Sequence, residues 1–174
     1  MSTRFADIIG ISKLKYKTPV TPGFKIIRPS KPDEQISQED QVIYCAGVGM
    51  LLYLIKYSRP DIANVVRELS KCMDKATPAA FKEMKRVMRF VADTKEYGLR
   101  IEPDEPSKDK FHWNMVAYTD SDWAGDKEDR RSVSGYVVFL LGVPILWKSK
   151  SQKSVTLSSS EAEYFAMSEA VKDV

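Results

Sequence analysis

At 174 residues the sequence has room for one ordinary domain or two small ones, and 43% hydrophobic with 29% charged content excludes the disordered and fibrous classes. Its 27 basic and 24 acidic residues leave +3, too mild an excess to argue for nucleic acid by itself. The longest apolar stretch, Val48 to Ile55, is too short to span a bilayer. The N-terminal run Met1 to Asp7 lacks the apolar centre of a signal peptide, so an intracellular protein that does not enter membranes is expected. Cys45 and Cys72 sit in apolar helical surroundings without Cys-x-x-Cys spacing, which predicts free buried thiols, not a disulfide framework or a zinc site.

Residues 1–36 contain Pro19, Pro22, Pro29 and Pro32 with Gly23, Lys25 and Arg28, and read as an extended arm or linker. Ser37-Gln-Glu-Asp40 then offers an N-cap with acids in the first turn, opening a helix over about 37–57. Its apolar residues lie nearly all round, which predicts burial on most sides. Ser58-Arg-Pro60-Asp61 stops that helix and starts a second, over about 60–74, with an apolar stripe of Ile62, Val65, Val66, Leu69 and Met73. Thr77-Pro78 repeats the start signal for a third helix over about 77–97, which Gly98 is placed to end in a left-handed cap. Together they predict a helical subdomain over 37–101.

Residues 102–112 are charged and contain proline, as a linker does. From 113 to 174 the texture changes. Met115 to Thr119, Tyr136 to Leu141 and Val143 to Trp147 are strand-like, with a tight turn at Leu141-Gly142-Val143. Ser158 to Val174 reads as a helix capped by Ser158, Ser159 or Ser160. The expected class is α+β: three helices, then an α/β domain of three antiparallel strands and one helix.

Three features bear on chemistry. Tyr118-Thr-Asp-Ser-Asp-Trp-Ala-Gly125 delivers Asp120 to the end of a strand, and Ser159-Ser-Glu-Ala-Glu-Tyr-Phe-Ala166 places Glu161 and Glu163 at the start of a helix. An acid at a strand end facing an acid on a following helix suits a hard divalent cation such as Mg²⁺ in phosphodiester hydrolysis. The plain alternative is local: an Asp stabilises a turn and a Glu the first turn of a helix. Third, Lys82, Lys85, Arg86 and Arg89 recur at i, i+3, i+4 and i+7, opposite Phe81, Met84, Val87, Met88 and Val91. Such a stripe tracks a phosphate backbone or simply faces water. A second cluster, Lys148, Lys150 and Lys153, follows the third strand. The one histidine, His112, falls in the linker, which leaves no histidine metal cluster and no Ser-His-Asp set.

Taken together the strings resemble a known family. Tyr44 to Leu54, Ser58-Arg-Pro-Asp-Ile62 and Thr94-Lys-Glu-Tyr-Gly-Leu99 resemble the helical region after the palm in copia-type reverse transcriptases. Tyr118 to Gly125, Arg130-Arg-Ser-Val-Ser-Gly-Tyr136, Trp147-Lys-Ser-Lys-Ser-Gln152 and Ser158 to Ala166 resemble the ribonuclease H that follows. Order and spacing match over residues 18–174. The resemblance implies that the parent reverse-transcribes RNA and hydrolyses RNA in RNA–DNA hybrids, with Mg²⁺ or Mn²⁺ as cofactor. It implies that Asp120 is the first catalytic acid and metal ligand and Glu163 the second, with Glu161 and Asp122 as neighbours of the site.

The resemblance also implies a thumb- or connection-like helical subdomain whose Lys82, Lys85, Arg86 and Arg89 contact a hybrid or template–primer duplex. The setting it implies is the cytoplasm, a retroelement particle or the nucleus. The sequence departs from the family in lacking the palm and in ending inside the helix of Glu163, before the family's later acids. Little or no activity is therefore expected of this chain alone. A co-opted nucleic-acid-binding or protein-interaction module without catalysis is the alternative.

Overall fold

The computed structural model describes Ile8 and residues 17–103, 114–126 and 128–174, and the chain divides into two units between Gly98 and Leu99. In the first, helix α1 (Gln38–Tyr57) starts where the Ser37 hydroxyl accepts the Asp40 N–H. A 3₁₀ turn, Pro60–Ile62, leads into α2 (Ala63–Ser70). Thr77 caps α3 (Pro78–Asp93) by accepting the Ala80 N–H, with Pro78 at the position that needs no donor. The core comprises Tyr44, Val48 and Leu51 of α1, Val66 and Leu69 of α2, and Met84, Val87 and Met88 of α3. Gly47 permits the close approach of α1 and α3, since a Cβ there would lie 2.5 Å from the Met84 sulfur. Tyr44 donates to the Leu69 carbonyl at 2.7 Å and sits 3.2 Å from Cys72 Sγ; burial pushes both groups' pKa values up. Both cysteines are free, Cys72 buried and Cys45 partly so.

Three expectations change here. Helix α1 is buried on one side only, because Val42 is 67% and Tyr53 54% exposed; among the described residues of this unit, the other two helices and the arm pack against its buried side. The second helix is shorter than expected. The third ends at Asp93, and Gly98 is not in the left-handed region. Thr94 supplies the stop: its N–H and hydroxyl both donate to the Phe90 carbonyl, at 3.0 and 2.7 Å. Arg59 in turn donates to the Thr94 carbonyl and hydroxyl oxygens.

The proline-rich arm is extended, yet it packs. Val20, Phe24, Ile26 and Ile36 lie against the core, and two buried carboxylates hold the backbone. Glu83 accepts from the Thr21 N–H at 2.6 Å and its hydroxyl at 3.0 Å, and Glu68 accepts from the Ile26 N–H at 3.5 Å. Glu68 is compensated by Arg67 at 2.6 Å and Lys71 at 3.0 Å, as a buried acid must be.

In the second unit, β1 (Met115–Asp122), β2 (Val133–Leu140) and β3 (Val143–Ser151) form an antiparallel sheet in that order. Leu141 and Gly142, both at positive φ, make the two-residue turn between β2 and β3. Helix α4 (Ser159–Asp173) starts at Ser158, whose hydroxyl accepts the Glu161 N–H. Its small residues Ala162, Ala166 and Ala170 are buried, and Ala170 packs with Tyr136, Val138 and Leu146 of the sheet. The helix is pinned along the strands by polar contacts. Lys148 bonds Asp173 at 2.7 Å, Lys150 bonds Glu169 at 3.1 Å, and the Tyr136 hydroxyl donates to Asp173. Two of the three clustered lysines are thus paired within the unit. Residues 104–113, which hold most of the expected linker and His112, lie outside the described residues.

Candidate acidic site and basic face

The backbone of β1 decides what Asp120 can meet. Leu141 N–H donates to the Asn114 carbonyl at 2.8 Å, and the register pairs Asp120 with Gly135 and Ser121 with Ser134. Antiparallel alternation then turns the even-numbered residues of β1 to β2 and the odd-numbered N–H groups to the open edge. Ser121 N–H, at that edge, donates to Glu163 Oε1 at 3.2 Å. The second acid therefore comes to rest against the peptide that follows the first. Asp120 is exposed, while Glu163 is half-buried. Thr119 lies opposite Tyr136, which packs on α4, so Asp120 shares the other face with Tyr118 and Asp122. Glu163 reaches from α4 as far as the strand edge, at the Ser121 N–H.

A set of contacts that local pattern does not announce holds strand end and helix start together. Trp123 Nε1 donates to the Thr156 carbonyl at 3.2 Å, Ser132 Oγ accepts the Ala124 N–H at 3.1 Å, and Ser132 and Thr156 hydroxyls meet at 2.8 Å. Glu161 is spent elsewhere: its carboxylate accepts the Leu157 N–H at 2.7 Å and closes the helix start. Asp122 packs so tightly on Gly125 that an added Cβ would lie 2.1 Å from its oxygen. Ser121 Oγ is buried with no hydrogen-bond partner among the described residues.

These residues suit a hard divalent ion in kind. The Glu163 carboxylate rests on the peptide N–H that follows Asp120, and carboxylate oxygens are what Mg²⁺ takes. They are few in number: among the described residues no three histidine, cysteine or acidic side chains group to hold a metal.

On α3 the four cations share one side but differ in company. Lys82 is exposed, while Lys85, Arg86 and Arg89 are partly covered. They line a cleft of about 610 Å³ with Thr21, Ile36 and Phe81. Lys85 lies 4.1 Å from the centre of the Phe81 ring, so Phe81 borders the stripe and does not sit opposite it. Arg86 donates to Thr18 Oγ1 at 3.1 Å and to its carbonyl at 3.5 Å, and lies 3.7 Å from Glu83. Among the described residues no helix is long and apolar enough to cross a membrane.

The chain matches no protein-family model and no solved structure. Known proteins do match. The retrovirus-related Pol polyprotein from transposon RE1 of Arabidopsis thaliana is 41% identical over 125 residues, 72% of this chain and 8% of that one. The Pol polyprotein from transposon TNT 1-94 of Nicotiana tabacum is 32% identical over 159 residues, 90% of this chain and 11% of that one. A protein named secreted RxLR effector protein 161, from Plasmopara viticola, is 42% identical over 132 residues, 76% of this chain and 89% of that one. The chain belongs to the family of retrovirus-related Pol polyproteins of transposons. It spans about a tenth of the length of the Pol polyproteins it matches.

Proposed function

We propose that this chain corresponds to the stretch of a copia-type Pol polyprotein that joins the helical end of the reverse transcriptase to the first half of the ribonuclease H. In this reading residues 37–101 form the thumb- or connection-like part and 113–174 the nuclease part. Asp120 and Glu163 are two of the acids that serve hydrolysis of RNA in RNA–DNA hybrids. The observation that carries the reading is the Glu163 carboxylate resting on the Ser121 N–H, next to Asp120. Asp120 and Glu163 would hold Mg²⁺ or Mn²⁺, which when bound polarises the scissile phosphate and lowers the pKa of attacking water. The chain's own part is to orient: Ser121 N–H fixes one oxygen of Glu163, leaving the other to face the phosphate. Lys82, Lys85, Arg86 and Arg89 hold the duplex backbone. Ion pairing with phosphate is salt-sensitive and blind to sequence.

The test is incubation of the purified chain with a labelled RNA–DNA hybrid and Mg²⁺ or Mn²⁺. Retention of the hybrid without cleavage is expected, because two carboxylates under-neutralise a two-ion centre. Cleavage that disappears in Asp120→Asn would mean that a second chain or a further acid completes the centre; Asp173 is not that acid, since it lies ten residues along α4 from Glu163, about 15 Å away, and is bonded to Lys148 and Tyr136. No binding of the hybrid would overturn the nucleic-acid part. A second reading, a co-opted module without catalysis, draws on the effector of Plasmopara viticola, nearly all of which aligns with this chain. Loss of hybrid binding with an intact fold would favour it.

A further inference from the structure

The end of β1 is held in a turn that costs energy. After Asp122 the chain reverses, with the Gly125 N–H donating to the Asp122 carbonyl at 3.2 Å. Ala124 sits in this turn at φ 51, in the left-handed region that a residue with a Cβ enters only at a cost. Such a conformation persists where its surroundings over-determine it. Here they centre on one serine. Ser132, buried just ahead of β2, accepts the Ala124 N–H on its hydroxyl at 3.1 Å and the Gln152 N–H on its carbonyl at 2.8 Å.

The same hydroxyl lies 2.8 Å from that of Thr156, which is also buried. Trp123 engages Thr156 as well, its indole N–H donating to the Thr156 carbonyl at 3.2 Å. Thr156 is thus bonded both by the turn after β1 and by the approach to β2. Two residues on, Ser158 caps α4, and Glu163 follows five residues later, about 7.5 Å along the axis. The hydrogen-bonded helix carries the placement of Thr156 forward to Glu163. The polar bonds of the helix body lead elsewhere. Gln152 donates to the Ala162 carbonyl, Lys150 meets Glu169, and Lys148 and Tyr136 meet Asp173, which ties α4 to β2 and β3. What joins its start to the end of β1 is the link through Thr156.

We propose that Ser132 and Thr156 are positioning residues for the acidic pair. Their buried hydroxyls, with Trp123 on the Thr156 carbonyl, fix the start of α4 against the end of β1 so that Glu163 falls on the Ser121 N–H. The proposal rests on the reading of Asp120 and Glu163 as one acidic site. Its test is amide hydrogen exchange of the full chain by NMR, without metal. Thr156→Val removes the hydroxyl and keeps the shape, whereas Thr156→Ser keeps the hydroxyl and removes a methyl group. Glu163→Ala gives the rate of the unbonded Ser121 amide.

In Thr156→Val, Ser121 exchange should quicken toward that rate by about tenfold or more relative to the β2–β3 ladder, the loss of one hydrogen bond. Thr156→Ser should leave it near the unsubstituted value. A side chain that only fills space predicts the reverse order, with serine the worse. That order, or a Ser121 rate unchanged in Thr156→Val, would overturn the proposal. Should Thr156→Val unfold the sheet unit, Trp123→Phe makes the same comparison by removing the indole N–H alone, and an unchanged Ser121 rate there would overturn it too. Selective line broadening by Mn²⁺ then separates the two ideas. Thr156→Val should need several-fold more Mn²⁺ than Thr156→Ser to broaden Asp120 and Ser121. Absence of selective broadening in the unsubstituted chain would sink the acidic-site reading itself, whatever the exchange rates show.

Discussion

The basic face of α3 makes a prediction that separates its cations. Lys82 and Lys85 line the cleft with no carboxylate bonded to them among the described residues, whereas Arg86 is already engaged by Thr18 and Glu83. Each phosphate contact adds about 0.9 to the slope of log affinity against log salt, so losing two flattens it by about 1.8. Over a fourfold rise, from about 50 to about 200 mM, one contact is worth about 3.5-fold in affinity and two about 12-fold. Lys82→Gln with Lys85→Gln should therefore show that much less salt sensitivity. Arg86→Gln should flatten the slope by less than either lysine, since its charge is partly offset by Glu83. The assay is fluorescence anisotropy of a labelled RNA–DNA hybrid across a salt series. An unchanged slope in the double variant would return the stripe to a solvated face. A larger effect at Arg86 than at the lysines would mean that the arm leaves α3 when the duplex binds.

Gly47→Ala should destabilise the helical unit by about 1 kcal/mol: overpacking against buried Met84 costs about 1–3 kcal/mol, and the helix propensity of alanine returns up to about 1 kcal/mol. Chemical denaturation measures it, and a stabilised variant would show that Met84 has room to move. Burial, then the bond to Asp173, pushes Tyr136 up from 10.0 to about 12, so its contribution to stability is complete below pH 10 and is lost as pH rises through about 12. Asp173→Asn should lower that pKa in an ultraviolet tyrosinate titration read against Tyr136→Phe; no change would deny the Tyr136–Asp173 bond. At the acid end, Lys148 holds Asp173 below the usual carboxylate range. That contribution is present above the ordinary carboxylate pKa and fades only as pH falls through the lowered folded value.

The capped starts were readable because capping is local. Ser37, Thr77 and Ser158 each accept the N–H three residues on, and the turn at Leu141-Gly142 follows from its glycine. The failures are tertiary. Gly98 looked like a helix stop because left-handed glycine is the usual one, but Thr94 had already closed the helix with help from Arg59, 35 residues away. Arm residues 17–36 showed no periodicity, because what orders them is two glutamates on other elements, Glu68 and Glu83. The acidic pair was legible only as motif strings. Nothing local in the sequence says that Ser121 N–H takes Glu163, or that Trp123 and Ser132 tie the strand end to Thr156. Gln152 was part of a recognised string, but its buried bonds exist only once β2 and α4 engage its nitrogen.

The central claim is that Asp120 and Glu163 act on one divalent ion, and paramagnetic broadening by Mn²⁺ tests it most directly. At low Mn²⁺ the amide signals of Asp120, Ser121 and the residues around Glu163 should broaden first, while the other acidic surfaces stay sharp. Asp120→Asn and Glu163→Gln should each remove that selectivity, since one carboxylate does not hold the ion. Mg²⁺ in excess should restore the lines by competition. Broadening spread evenly over exposed acids, or selective broadening that survives both substitutions, would contradict the account.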